Sequence, residues 1–92
     1  MVEAMINLKE SMLIQIHDMR IEIADLRKDK IDTRARAWAD AEGTAKAKED
    51  YVKSIVSDID CQISVLEAEI ELLYNQIGIL DEKIELEYFK DA

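Results

Sequence analysis

Between Val52 and Ile84 the apolar residues fall at Val52, Val56, Ile59, Ile63, Leu66, Ile70, Leu73, Ile77, Leu80 and Ile84. The steps alternate between four and three, the heptad repeat by which one helix packs along another. Val or Ile holds every a position (Val56, Ile63, Ile70, Ile77, Ile84), and Leu holds most d positions (Leu66, Leu73, Leu80). A looser set runs through the first half of the chain. There Val2, Ile16 and Ile23 take a positions, and Met5, Met12, Met19 and Leu26 take d positions. Lys9 and Lys30 interrupt the a row, and Thr33 and Asp40 interrupt the d row, so this core weakens toward the middle of the sequence. The pattern predicts an all-α chain: a helix over about 2–42, a turn at about 43–44 and a helix over about 45–89, within one domain spanning 1–92.

The heptad phase breaks at Gly43. Continued from Ala37, it would put a positions at Thr44 and Tyr51, whereas the second helix requires them at Glu49 and Val56. Glycine suits the position just past a helix end and threonine suits an N-cap, so Gly43-Thr44 reads as the turn of a long antiparallel hairpin. Folding about Gly43 is expected to set Ile23 level with Ile63, Ile16 with Ile70 and Met5 with Leu80, with Arg27 facing Asp60 and Arg20 facing Glu67. The local charges oppose this. Asp40 and Glu42 stand at a helix C-terminus, and Lys46 and Lys48 at an N-terminus, each the wrong sign for the helix dipole. Glu42 and Lys46 would suit an unbroken helix. Such effects are worth ~0.3–1 kcal/mol each, less than a mismatched core costs.

Each helix carries a second apolar stripe. On the second helix it is Val65, Leu72, Ile79 and Leu86, flanked by Cys61, Ala68 and Phe89. On the first it is Ile14, Ile21, Ala24, Ile31, Ala35 and Trp38, with His17 in the row. At ~100° per residue these stripes lie roughly 150° from the a/d seams, so a lone hairpin buries one set and leaves the other wet. Eight large side chains (Ile14, Ile21, Ile31, Trp38, Val65, Leu72, Ile79, Leu86) would forgo more than ~10 kcal/mol of burial in that state. Exposed stripes of this kind mark interfaces. The expected assembly is a homo-oligomer, most simply a two-fold dimer forming a four-helix bundle. Parallel pairing between chains stays open, because β-branched a with Leu d is also the signature of parallel dimers.

Charge divides the chain more tellingly than its sum. Of the net −9, residues 1–26 carry −3, residues 27–53 carry +2 and residues 54–92 carry −8. The hairpin tip thus gathers Arg34, Arg36, Trp38, Lys46 and Lys48, cations beside an aromatic face, as phosphate contact and base stacking require. Mixed solvent-facing charge accounts for the same residues, since Asp40, Glu42, Glu49 and Asp50 neutralise much of the patch. Glu67, Glu69, Glu71, Asp81, Glu82, Glu85 and Glu87 give the second helix an acidic flank, which reads either as a solvated face or as an imitation of a phosphate backbone.

Catalytic chemistry is not indicated. His17 is the sole histidine, and Ile14 and Ile21 occupy the positions where a metal-binding bundle would place its second ligand. Cys61, the one cysteine, reads as a small apolar residue and fits a reducing, cytoplasmic setting. No Gly-rich phosphate loop and no nucleophile–His–acid arrangement is evident. The expectation is a non-enzymatic protein without cofactor or metal, with no secretory signal and no membrane span.

The stretch Arg34-Ala-Arg-Ala-Trp-Ala-Asp-Ala-Glu-Gly-Thr, the basic helical start after it and the later Ala68-Glu69 together resemble a class of small bacteriophage helical-hairpin proteins of unassigned role. The resemblance covers roughly residues 34–70 and departs at Lys46 and Lys48, where an acidic residue often follows the junction. It implies a cytoplasmic protein made during infection, an accessory of phage DNA metabolism or an inhibitor of a host enzyme. The leading expectation is therefore an oligomeric binding protein acting on a host or phage protein. The alternatives are a nucleic-acid-binding accessory using the basic tip and a structural coiled-coil spacer.

Overall fold

The structure, a computed structural model, describes residues 1–91; the final residue of the expected 1–92 domain lies outside them. The described residues form two helices and no strand: α1 (Val2–Asp40) and α2 (Ala45–Asp91). The chain is an all-α helical hairpin, as the heptads predict. α1 stops two residues short of the expected end. Gly43 takes φ = +101°, the left-handed conformation that reverses the chain. Thr44 caps α2, its Oγ1 accepting a bond of 3.2 Å from the Ala47 amide. The unfavourable dipole charges are all present, with no basic residue in the last turn of α1 and no acidic one in the first turn of α2. Core phase outweighs them.

Two compact units divide the hairpin. The first unit, residues 21–66, holds the turn and the adjoining halves of both helices. Its buried side chains are Ile23, Ala37, Ala41, Val52, Val56 and Ile63. All but Ala41 are a or d residues, and beside the turn they are small. An ion pair of 2.5 Å joins Lys30 Nζ to Asp60. The second unit pairs residues 1–20 with those from Glu67 onward, around buried Ile16 and Ile77. There Lys9 Nζ meets Asp81 at 2.6 Å, and Arg20 both donates to the Tyr74 hydroxyl and lies over its ring.

These contacts correct the expected register. Asp60 pairs with Lys30 and Arg20 with Tyr74, contacts that the expected level of the two helices did not include. Lys9 and Lys30 are both a residues, and each reaches the position just past a d residue of α2, Leu80 or Ile59. So a of α1 lies opposite d of α2, the layering of an antiparallel seam. By that offset Ile23 is level with Leu66, Ile16 with Leu73 and Met5 with Ile84, about a turn away from the expected Ile63, Ile70 and Leu80.

Candidate interaction surfaces

Packing one face of each helix inward leaves the opposite face outward. The stripe residues Ile14, Ile21, Ile31 and Trp38 on α1, and Val65, Leu72, Ile79 and Leu86 on α2, are all exposed, from 43% for Trp38 to 69% for Ile31. Phe89, at the end of the α2 row, is exposed too. The accessible surface is 6957 Å², whereas a typical monomer of this mass exposes about 5,500 Å². Since each stripe side chain is already about half covered by its own helix, roughly 6–12 kcal/mol of apolar burial is left to be gained.

The two stripes lean toward different flanks. In the 21–66 unit one flank carries a hollow lined by Lys30, Arg34, Trp38, Lys53 and Asp60. The α1 stripe borders this flank through Trp38. The other flank carries a hollow lined by Glu22, Cys61, Gln62, Val65 and Leu66, so the α2 stripe borders the opposite side. Within this unit Trp38 and Val65 therefore border different flanks. The hydrophobic periodicity reveals both stripes but not this divergence, which needs the rotation of each helix about its own axis.

Around the turn, Lys48 Nζ lies 5.5 Å from the centroid of the Trp38 ring. The cation that the dipole disfavours at the start of α2 is thus held by an aromatic face on α1. Arg34 joins Trp38 along the hollow between the helices and along a second hollow with Ile31, Ala35 and Glu49. Arg34, Arg36, Trp38 and Lys46 are exposed and Lys48 is half-buried. Of the five candidate tip residues, Arg34, Trp38 and Lys48 are brought into one cluster with Glu49 among them.

His17 and Cys61 are both exposed. Among the described residues no group of three or more His, Cys, Asp or Glu is placed to hold a metal ion, and no helix is long and apolar enough to cross a membrane. Compared with protein-family models, with curated proteins and with solved structures, the chain matches none.

Proposed function

We propose that this hairpin is a non-enzymatic binding protein that self-associates through its outward stripes and, so assembled, engages another macromolecule. The single observation that supports this is the exposure of eight large apolar side chains, four on each helix, away from the a/d seam. Association costs an estimated 4–15 kcal/mol, and the burial left to gain on these side chains is the term available to offset it. The partner is a protein, met by whatever assembly leaves open: the acidic flank of α2 or the hairpin tip. A phage-type accessory or inhibitor acting on a host protein in the cytoplasm fits this reading. Multi-angle light scattering of the purified chain tests the first half, with a mass above one chain expected. A compact, folded single chain at micromolar concentration would falsify it. Retention of one defined bacterial protein by the immobilised wild type, lost when Glu82 and Glu87 become Gln, is the expected result for the second half.

A second reading is nucleic-acid contact at the tip, favoured by the convergence of Arg34, Trp38 and Lys48. Lys48 occupies one face of the indole, which leaves a base only the other. Titration of labelled single- and double-stranded DNA across a salt series decides it. Counterion release makes affinity fall steeply with salt, and no binding at low salt removes the reading.

A further inference from the structure

The stripes differ in what borders them as well as in where they face. Along α1, Arg20, Arg27 and Arg34 repeat every seven residues on one edge, and Asp18, Asp25 and Asp32 on the other. Along α2, Glu71 and Glu85 lie on one edge, and Lys83 and Lys90 lie on the other, where Glu69 precedes them. Two hollows show Arg34 and Glu85 beside the stripes: Ile31, Ala35 and Trp38 sit with Arg34 and Glu49, and Leu86 and Phe89 sit with Glu82 and Glu85. In an antiparallel helix pair, matching edges face each other. The α1 stripe packed antiparallel on its own copy would set arginines against arginines and aspartates against aspartates. Packed on the α2 stripe of another copy, its arginine edge meets Glu71 and Glu85, and its aspartate edge meets Lys83 and Lys90. Unlike charges at a rim select partner and orientation, and like charges penalise the wrong one.

We infer that the α1 stripe of one copy packs antiparallel on the α2 stripe of a second copy, so that each hairpin meets two neighbours through two unlike faces. This inference deepens the self-association reading and rests on it. In the 21–66 unit the placing of Trp38 and Val65 on opposite flanks supports it, because a two-helix face carrying both stripes side by side is what a closed four-helix dimer would need. A contact between unlike faces repeats until it closes as a ring or runs on as an open array. The assembly therefore exceeds two chains.

Sedimentation of the full chain tests this with two double variants, Ile21→Gln/Ile31→Gln and Leu72→Gln/Ile79→Gln. All four positions are exposed and glutamine is a good helix former, so the hairpin is expected to persist, checked by far-ultraviolet circular dichroism. Where a double variant loses helix, the single variants Ile31→Gln and Ile79→Gln replace it. The expected results are a wild type heavier than two chains, each variant alone at one chain, and an equimolar mixture forming a one-to-one pair, since each supplies the stripe the other lacks. A wild type that stops at two chains, a variant that dimerises alone, or a mixture that does not pair overturns the inference and leaves self-association standing. A wild type of one chain overturns both.

Discussion

Gly43 and Gly78 are chemically identical and structurally opposite. Gly43 holds φ = +101°, and a Cβ there would meet Ala47 Cβ at 3.5 Å, an ordinary contact. An alanine at 43 is therefore opposed by backbone conformation rather than by crowding, at a cost of about 1–2 kcal/mol. Gly78 sits inside α2 with nothing within 4 Å of where a Cβ would be. Gly78→Ala is expected to stabilise the hairpin by about 0.5–1 kcal/mol through lower unfolded-state entropy. Urea denaturation of the two variants should move the midpoint in opposite directions; a shift of both the same way would contradict this account. The local chemistry of Gly43-Thr44 was legible in the sequence because a positive φ and an N-cap depend on neighbours in the chain. The placement of Lys48 over Trp38 was not, since it depends on how two helices are turned toward each other.

At the level of the helices, the two interruptions of the α1 core turn out to be one device used twice. Lys9–Asp81 and Lys30–Asp60 are separated by three heptads on both helices, and each couples an a lysine to the aspartate beyond a d residue. All four side chains keep a third to a half of their surface, so each pair adds only about 0–1 kcal/mol. What the pairs provide is alignment, as polar a residues do in coiled coils. A slip of one heptad toward the turn would set Lys30 against Lys53. Lys30→Ile should accordingly raise the melting temperature, gaining about 1 kcal/mol from apolar burial net of the lost pair. Asp60→Asn should cost less than about 1 kcal/mol. Thermal unfolding followed at 222 nm checks both. The periodicity reveals which residues face the seam; it does not reveal their level. Setting a opposite a about Gly43 put Arg27 across from Asp60, whereas knobs-into-holes packing of antiparallel helices sets a opposite d and brings Lys30 there.

For the molecule as a whole, the outward stripes were legible because amphipathicity survives any rotation of a helix, and all eight large side chains are exposed as the pattern requires. The placing of Trp38 and Val65 on different flanks of the 21–66 unit was not legible, because it is fixed only when each helix is turned about the seam it shares with the other. The net charge of −9 is likewise compatible with close association, because both signs of charge border the stripes. Two unlike faces give a growing series of subunits a direction, with one kind of end at each extremity. A copy carrying Leu72→Gln and Ile79→Gln would still dock through its intact α1 stripe and then offer the next subunit nothing. Added in small proportion, it would act as a chain terminator, and static light scattering should record a fall in mean mass out of proportion to its share. Simple dilution, with mass falling linearly in the fraction added, is what a symmetric pair would give instead.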